Sequence, residues 1–352
     1  MKRTMKRQVT LGKTGIKVTR LGFGGIPIQR VSEKEAVETV IHAIGRGVDF
    51  IDTSRAYTTS ETRIGIALRE TGKDVVLATK SQQQSADKVR EDVEISLKEL
   101  QREKIELYQC HFIRDFDAYK KITSRGGALE GLLRARDEGL IEHIGITSHS
   151  LDVLNRVIDD GLFETIMVCY SFLEPKAEEN VIPKALASNI GVIVMKAFSG
   201  GVIDNPRLAI KYNLALEGTV VIPGVETKEL FDENWNVFLD DLTLSRKERE
   251  EIMAIQNEFD KQFCRRCDYC QPCPQGIPIQ HVIGIKSMVK RIGPGILKEG
   301  WPKFAIEQAR GCTECGECME RCPYELPIPE LIKKNLQWVD EQIDWATGLL
   351  RT

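Results

Sequence analysis

The stretch GVDFIDTSRAYTTSE, from Gly47 to Glu61, contains the pattern that decides the fold of this 352-residue chain. Its first glycine follows a predicted amphipathic helix, Lys34–Gly45, at a position where a left-handed helix cap favours glycine. A short apolar strand, Phe50–Thr53, comes next, and a polar loop closes the segment. The same order of helix, strand and polar loop recurs along the chain, so this segment is one unit of a series.

The series runs from Arg20 to about Asn257 and contains eight strand candidates. These are Gly22–Ile26, Phe50–Thr53, Val75–Thr79, Ile105–Cys110, His143–Thr147, Thr165–Tyr170, Gly191–Met195 and Thr219–Ile222. Helical patterns separate them, among them Ala86–Leu100, Leu129–Glu138, Leu151–Asp160 and Glu179–Ala187. Eight strand–helix units within about 250 residues predict an α/β fold, a (β/α)8 TIM barrel over residues 1–257. An open doubly wound sheet is the alternative, but its usual G-x-G-x-x-G phosphate loop does not follow the first strand.

Eight cysteines lie in two tight runs, CRRCDYCQPCP from Cys264 to Pro274 and CTECGECMERCP from Cys312 to Pro323. The second run has the C-x2-C-x2-C-x3-C-P spacing of proteins with two [4Fe–4S] clusters, in which the fourth thiolate binds the other cluster. The first run has the same spacing with its last gap shortened by one residue. This rule assigns one cluster to Cys264, Cys267, Cys270 and Cys322, and the other to Cys312, Cys315, Cys318 and Cys273.

Zinc and disulfide bonds are the competing interpretations of these runs. Structural zinc usually takes two C-x2-C pairs separated by a loop, and these cysteines are too crowded for two separate zinc sites. Disulfide bonds would require export, and the first residues, MKRTMKRQV, lead into a polar strand instead of an apolar signal segment. Iron–sulfur clusters are therefore favoured. The other two cysteines, Cys110 and Cys169, lie in apolar strand-like stretches and are expected to be buried hydrophobic residues.

The composition excludes several classes of function. A net charge of −3 argues against a general nucleic-acid binder, and no apolar run approaches the length that a membrane span requires. Cluster thiolates must stay reduced, which indicates a cytoplasmic protein. An apolar content of 42% is sufficient to fill the cores of one large and one small domain.

Four polar residues fall at the C-terminal ends of three consecutive predicted strands, where barrel enzymes carry their chemistry. Asp52 ends the second strand, and Tyr57 lies in the loop that follows it. Lys80 ends the third strand and His111 closes the fourth. Each residue alone has an ordinary explanation, such as a helix cap or core packing. Four of them at equivalent places predict one shared catalytic site.

Together these residues form a general-acid assembly. A phenol with a pKa of about 10 is a poor proton donor at neutral pH, and a neighbouring ammonium group favours its ionised form. A carboxylate beside the lysine keeps the ammonium charged and fixes its direction, while an imidazole facing the same point orients a carbonyl oxygen. Tyr57 would then donate a proton to this oxygen as hydride reaches the adjacent carbon.

The segments LGFGG, GVDFIDTSRAYTTSE and LATKS, with the histidine after the fourth strand, resemble the aldo/keto reductases. The stretch GVIVMKAFSGG and the cysteine runs resemble the subgroup of that family that carries iron–sulfur clusters. The resemblance implies a (β/α)8 barrel, a nicotinamide cofactor (NADP or NAD) bound without a Rossmann fold, and a small carbonyl or alcohol substrate.

On the nicotinamide side, the resemblance assigns cofactor contacts from which this sequence departs. Thr147 and Ser148 stand where the family has Ser-Asn after the fifth strand, and Met167 replaces its carboxamide-binding glutamine. Met195 and Lys196 stand near the tyrosine that stacks under the nicotinamide ring. Lys196 is either a solvated strand-end residue or a cation that attracts an anionic substrate.

On the adenine side, the stretch IPGVETKELFDEN keeps Glu233 and Asn234, which the resemblance places near the adenine. Gly224 and Leu230 occupy the positions of the lysine and arginine that grip the 2′-phosphate of NADPH in the family. Nearby Lys228 could substitute for one of these cations. The choice between NADPH and NADH therefore stays open.

Residues 258–352 are predicted to form a small ferredoxin-like domain. The 38 residues between Cys273 and Cys312 contain two helical patterns, Gln280–Arg291 and Pro302–Arg310, and resemble the α-helical ferredoxin modules of larger redox enzymes. Basic residues outnumber acidic ones in this region: Arg265, Arg266, Lys286, Lys290, Arg291, Lys298, Lys303 and Arg310. They form either a solvated face or a dock for an acidic carrier such as ferredoxin or flavodoxin.

Three functions stay open. The preferred one is an oxidoreductase whose barrel reduces a carbonyl or oxidises an alcohol while two [4Fe–4S] clusters exchange electrons with a carrier or a nicotinamide. The alternatives are a plain NAD(P)H-dependent reductase with structural clusters, and an electron-transfer or redox-sensing protein without turnover. The four-residue set argues against the last of these. One difficulty stands against the preferred function: hydride carries two electrons and each cluster passes one, so some group must split the hydride, and no flavin motif is evident. A radical dehydration or reduction driven by the clusters, with the four residues binding the substrate, is a further possibility.

Overall fold

The computed structural model describes residues 7–344 and 349–350. Contacts divide the chain into two units. The first comprises the residues up to 199 together with 205–244, and the second comprises 200–204 together with the residues from 245 onward. Each unit has its own core, and each is described by itself below.

In its described residues the first unit contains ten strands. They are β1 (Gln8–Thr10), β2 (Lys17–Thr19), β3 (Phe23–Gly24), β4 (Phe50–Asp52), β5 (Val76–Ser81), β6 (Ile105–Cys110), β7 (Ile141–Ser148), β8 (Thr165–Cys169), β9 (Gly191–Met195) and β10 (Thr219–Val221). Strands β3 to β10 form one parallel sheet in chain order. Bridges from Leu21 to Val221 and from Gly24 to Gly224 join its two edges. The sheet is therefore a closed (β/α)8 barrel, which confirms the predicted fold.

At least one helix follows each barrel strand. The helices of this unit are α1 (Glu33–Arg46), α2 (Ser60–Thr71), α3 (Ala86–Leu100), α4 (Phe116–Thr123), α5 (Ala128–Asp137), α6 (Leu151–Asp160), α7 (Val181–Ala187), α8 (Pro206–Ala215) and α9 (Lys228–Leu239). Local signals set their ends. Helix α1 begins at a capping box formed by Ser32 and Glu35 and ends at Gly47, whose φ of 111° favours glycine.

The floor of the barrel is apolar. Strands β1 and β2 form an antiparallel hairpin, and its residues Leu11 and Val18 are fully buried. They pack in one cluster with interior residues of the barrel strands, including Phe50, Leu107 and Met167. Because side chains alternate between the two faces of a strand, the next interior residues along β4, β5 and β6 lie above this floor, toward the opposite end of the barrel.

The second unit is mainly helical. It contains α10 (Arg246–Phe259), α11 (Ile279–Ile283), α12 (Ile285–Ile292), α13 (Gly300–Ala309), α14 (Glu317–Glu320) and α15 (Ile328–Gln342), with a short pair of strands, β11 (Ile343–Asp344) and β12 (Leu349–Leu350). The boundary expected at residue 257 lies inside α10. The predicted helix Gln280–Arg291 is two helices, because the chain turns at Gly284 between α11 and α12. Among the described helices, none combines the length and apolar character needed to cross a lipid bilayer.

Two glycines in different helices, one in a close contact and one without near neighbours, test how closely the helices around the barrel pack. A Cβ atom added at Gly65 in α2 would lie 2.2 Å from the carbonyl oxygen of Glu99, at the end of α3. At Gly45 in α1, no atom of the described chain lies within 4 Å of such a Cβ. We expect Gly65→Ala to destabilise the protein by about 1–3 kcal/mol, because α2 and α3 must separate.

Gly45→Ala is the matched control and should be neutral or stabilising by up to about 1 kcal/mol, since alanine favours a helix. Urea unfolding followed by far-UV circular dichroism measures both effects. Equal changes in the two variants would show that Gly65 does not mark a tight contact.

Candidate functional site

The four predicted catalytic side chains come together at the end of the barrel opposite the hairpin. Asp52 is the last residue of β4 and Lys80 lies near the end of β5, and both side chains are buried. Lys80 Nζ donates hydrogen bonds to Asp52 Oδ1 at 2.7 Å and to the carbonyl oxygen of Thr53. The same ammonium lies 4.8 Å from the centre of the Tyr57 ring. Lys80 therefore stands between the carboxylate and the phenol.

His111 faces the same phenol from β6. The rings of Tyr57 and His111 meet edge-on, with 5.8 Å between their centres, and both side chains are half-buried. Ser54 Oγ lies 3.0 Å from His111 Nδ1, and the backbone N–H of His111 donates to the carbonyl of Ser81 at 2.8 Å. These contacts fix the imidazole ring and leave its Nε2 as the nitrogen that can bind a substrate.

A buried ion pair anchors the loop that carries Tyr57. Arg55 binds Glu61 at 2.5 Å and Glu99 at 2.8 Å, and the Glu61 side chain is almost fully buried. The second oxygen of Glu61 accepts a hydrogen bond from Thr79 Oγ1 at 2.6 Å. Because Arg55 lies two residues before Tyr57, this network ties the loop to helices α2 and α3 and to β5.

The surroundings of the site set its charges. Burial raises the pKa of Asp52 above its ordinary value, and the Lys80 ammonium opposes this rise. Burial lowers the pKa of Lys80, but electrostatic attraction by Asp52 and Tyr57, together with hydrogen bonds to both side chains, outweighs burial, so the pKa is raised and the ammonium persists at pH 7. Burial, with the charge of Lys80, lowers the pKa of His111 to about 3, and its ring is therefore neutral at pH 7.

Sequence reasoning missed two residues of this site. Ser54 contacts His111, as described above, and Gln109 Nε2 donates to Asp52 Oδ2 at 3.4 Å from a fully buried position in β6. Gln109 precedes His111 by two residues, so both face the barrel interior. The two-residue spacing was the signal available in the sequence, but a sequence does not give the distances between side chains on neighbouring strands.

The hydroxyl groups of Thr147 and Ser148, two of the residues expected to contact the nicotinamide, form hydrogen bonds within the protein. Thr147 Oγ1 accepts a hydrogen bond from the backbone N–H of Phe112 at 2.7 Å, and Ser148 Oγ donates to the carbonyl of Ile113 at 2.6 Å. Both hydroxyls therefore hold the loop that follows His111. Met167 is buried in the apolar floor cluster.

Lys196 follows β9 directly and has a φ of 61°, in the left-handed region. This conformation is uncommon for residues other than glycine, and such residues cluster at functional sites. The side chain is half-buried.

The residues expected on the adenine side follow β10. Gly224 is exposed and pairs with Gly24, and Glu233 and Asn234 are adjacent on α9. Glu233 is exposed, whereas Asn234 is buried and its Oδ1 has no hydrogen-bond partner among the described residues. Lys228, the cation that could replace the missing ones, is paired with Glu38 at 2.6 Å.

The cysteines of the two runs gather in the second unit. Cys273, Cys312, Cys315 and Cys318 line one small cavity, which Ile277, Ile279 and Ile332 close on its apolar side. None of the ten cysteines forms a disulfide bond. Among the described residues, no three His, Cys, Asp or Glu side chains are close enough to hold a single metal ion. The cysteines surround a volume instead of a point, which fits a cluster.

The other set consists of Cys264, Cys267, Cys270 and Cys322. Burial raises the pKa of Cys270 to about 12, and the charges of Cys264 and Cys267 add to this rise. Burial also raises the pKa of Cys267, as does the charge of Cys322. Thiolates this close together repel one another unless a metal centre neutralises them. Cys110 and Cys169 are buried in the barrel, as expected.

At least three of the eight basic residues near the cysteine runs form ion pairs. Lys290 pairs with Asp204, and Arg310 pairs with Asp340. Lys303 approaches Glu307 at 3.8 Å, and Lys286 lies 5.6 Å from the centre of the Trp338 ring. The side chain of Arg291 lies outside the described part of the structure. The paired residues match a solvated face better than a strongly basic dock.

Comparison with known proteins gives two family matches. The model of the aldo/keto reductase family matches residues 20–207, and that of the 4Fe-4S dicluster domain matches residues 263–327. The chain is 31% identical to L-galactose dehydrogenase of Arabidopsis thaliana over 212 residues, which are 55% of this chain and 66% of the relative. It is 30% identical to the aldo-keto reductase YhdN of Bacillus subtilis over 213 residues, 55% of this chain and 62% of the relative. The matched segments thus span a little under two thirds of these relatives.

Solved structures share the barrel fold. The holo form of aldo-keto reductase AKR11C1 from Bacillus halodurans has a TM-score of 0.61 at 23% identity, covering 71% of this chain and 96% of that one. An aldo/keto reductase from Klebsiella pneumoniae in complex with NADP and acetate has a TM-score of 0.60 at 19% identity, covering 71% and 95%.

The low pKa of His111 predicts a pH dependence of stability. Histidine in the unfolded chain has a pKa of about 6.5. Between about pH 6.5 and pH 3, His111 therefore binds a proton in the unfolded chain but not in the folded chain. Folding stability that depends on neutral His111 is present above about pH 6.5 and is lost as the pH falls through this window. Replacing His111 by Gln removes this titration.

Lowering the pH from 7.5 to about 5 should therefore reduce the free energy of unfolding of the wild-type protein by about 1–2 kcal/mol more than that of His111→Gln. Urea unfolding of both proteins at the two pH values measures the difference. Parallel losses would mean that His111 titrates normally in the folded protein.

Proposed function

The chain belongs to the aldo/keto reductase family and carries a 4Fe–4S dicluster domain, and from this premise we propose a specific activity. The barrel reduces a carbonyl compound, or oxidises the corresponding alcohol, with Tyr57 as the proton donor. The second unit binds two [4Fe–4S] clusters that exchange electrons with a nicotinamide or with a protein carrier such as ferredoxin or flavodoxin. An iron–sulfur oxidoreductase of the aldo/keto reductase type is thus the function that the site supports best.

One observation carries the catalytic part of this proposal: the buried Lys80 ammonium lies between Asp52 and Tyr57. When Tyr57 gives its proton to the substrate oxygen, a phenolate remains beside this ammonium. The charge on Lys80 stabilises the phenolate and so lowers the barrier to proton transfer. Asp52 keeps the ammonium in place, because its buried carboxylate binds Lys80 Nζ at 2.7 Å.

His111 would bind the substrate oxygen. A neutral imidazole carries one N–H, and the Ser54 hydroxyl, which lies between His111 Nδ1 at 3.0 Å and the carbonyl of Lys80 at 3.1 Å, can donate to either. Donation to Nδ1 leaves the hydrogen on Nε2. This form of His111 donates to a carbonyl oxygen and orients it toward Tyr57.

The nicotinamide supplies or takes the hydride when it is bound. Asn234 would hold its adenine end, since a buried amide oxygen without a partner in the described chain fits a residue that awaits a ligand. Gly224, Glu233, Thr147, Ser148 and Lys196 are the further residues proposed to line this cofactor. Glu226 pairs with Arg30, and Lys228 pairs with Glu38. With these cations engaged, the loop is less suited to the 2′-phosphate of NADP than to NAD.

The clusters supply one-electron transfer when bound. The first would be held by Cys264, Cys267, Cys270 and Cys322, and the second by Cys273, Cys312, Cys315 and Cys318. The cavity lined by the latter four residues supports this division. A hydride carries two electrons, so two clusters that each pass one electron would have the capacity for both, provided that a further group separates these electrons from the proton.

Removal of the Tyr57 hydroxyl tests the catalytic proposal. We expect Tyr57→Phe to lower kcat by about 100-fold or more, because proton donation contributes about 10²–10⁴-fold to such reactions. The dissociation constant of the nucleotide should change little. Oxidation of NADH and of NADPH with a panel of aldehydes and ketones measures turnover, and fluorescence titration measures binding.

Tyr119→Phe is the matched control. It removes an equivalent hydroxyl, which binds Asp160 at 2.9 Å in the helix layer and not at the barrel mouth. This variant should turn over like the wild type. A Tyr57→Phe variant with wild-type kcat would exclude Tyr57 as the proton donor.

Electron exchange is tested separately by anaerobic titration of the cluster-loaded protein with NADH and, in a parallel sample, with NADPH. We expect one nucleotide to produce the EPR signals of reduced [4Fe–4S] clusters at low temperature, because the proposal couples hydride chemistry to the clusters. Dithionite is the control that shows which signals the clusters can give. Clusters that respond to dithionite but to neither nucleotide would favour a plain reductase with structural clusters, or a protein carrier as the electron source.

A further inference from the structure

A buried glutamine contacts the carboxylate that supports the barrel site. Gln109, in β6, has no exposed surface, and its Nε2 donates to Asp52 Oδ2 at 3.4 Å. Lys80, in β5, donates to the other oxygen, Oδ1, at 2.7 Å. The two oxygens of Asp52 are therefore bound by donors from two neighbouring strands.

This position of Gln109 costs stability. Its Oε1 is buried and finds no hydrogen-bond partner in the part of the chain that the structure describes. An orphaned buried carbonyl costs free energy comparable to a lost hydrogen bond. Apolar residues fill other interior positions of the barrel strands, such as Leu107 in β6 and Met167 in β8. A leucine or methionine at position 109 would avoid the cost, so packing alone does not explain the amide.

The barrel makes room for this side chain. A Cβ atom added at Gly145, on the neighbouring strand β7, would lie 2.9 Å from Gln109 Cγ and 2.2 Å from Thr165 Oγ1. A glycine in the middle of a strand weakens it and often marks a place of close approach. Gly145 therefore provides the space in which the Gln109 amide reaches Asp52.

We infer that Gln109 is a positioning residue of the barrel site, which keeps the Asp52 carboxylate ionised and directed at Lys80. The amide is suited to this task because it donates a hydrogen bond without adding a charge. A second cation at this place would compete with Lys80 for Asp52. The inference rests on the proposed reductase chemistry only for its catalytic consequence, and its physical part can be tested without turnover.

The groups that share this buried site with Asp52 are few. Lys80 faces it from β5 and Gln109 from β6, the centre of the Tyr57 ring lies 4.8 Å from the Lys80 ammonium, and His111 contacts that ring edge-on. A carboxylate that loses one of two donors in a buried site is harder to ionise. Its pKa in the folded state then rises further above the value in the unfolded chain. Stability consequently falls as the pH rises through that window.

The test compares the thermal midpoints of wild-type protein and Gln109→Met, both cluster-loaded, at several pH values from about 5 to 8. Near pH 5 the variant should match or exceed the wild type, because it lacks the orphaned carbonyl. Toward pH 8 its midpoint should fall progressively below that of the wild type. Gln109→Leu is a second variant, in case the methionine is poorly accommodated.

Thr165→Val is the matched control. Thr165 Oγ1 is also buried, also crowds Gly145 and has no hydrogen-bond partner among the described residues. Removing it should shift the midpoint by the same amount at every pH. A constant difference between Gln109→Met and wild type across the range would overturn the inference, because loss of packing does not depend on pH.

Turnover provides a second readout. If the wild type reduces a carbonyl, Gln109→Met should move the acid limb of its kcat profile to higher pH, with KM nearly unchanged. An unshifted profile would overturn the inference. If the wild type shows no turnover but the midpoint difference still grows with pH, the proposed reductase activity fails and the role of Gln109 stands.

Discussion

The buried contact between Lys80 and Asp52 is the interaction on which the rest of the barrel site depends. Two opposite charges in a protein interior lose their hydration, and their mutual attraction compensates only when other groups satisfy their remaining hydrogen-bonding atoms. Here the carbonyl of Thr53 and the amide of Gln109 do so. Because this pair is held from two strands, its charge state and direction are fixed before any ligand arrives.

The barrel places this pair where chemistry can use it. The hairpin and the interior apolar residues fill the floor, so the next interior positions along β4, β5 and β6 stand at the open end. Tyr57 lies on a loop, which would ordinarily be mobile. The Arg55–Glu61 pair and the Glu99 side chain attach that loop to two helices and one strand. A loop residue thereby gains the fixed position that a proton donor requires.

Much of this was predictable from sequence, for identifiable reasons. Strands Ile105–Cys110 and Gly191–Met195 were placed correctly at both ends, because apolar runs bounded by polar or glycine residues define buried parallel strands. The candidate catalytic set was predicted from its equivalent places on consecutive strands. The contacts of Ser54 and Gln109 could not be predicted in this way, since they depend on distances across the barrel. The sequence places Thr147 and Ser148 near a cofactor, which stays a prediction, but it does not encode locally the hydrogen bonds by which their hydroxyls hold the loop after His111.

The charges of the site also bear on how one chain can combine proton and electron chemistry. Before the proposed step, the His111 ring is neutral and the Lys80 side chain is charged at pH 7. Tyr57 alone then exchanges a proton with the substrate, one for each hydride. Two clusters would match this count, with one electron each for the two that a hydride carries. A nicotinamide would bring both electrons to the proposed site as one hydride, whereas a carrier would pass them singly through the clusters, so only the nicotinamide route needs no further group to combine two electrons with a proton.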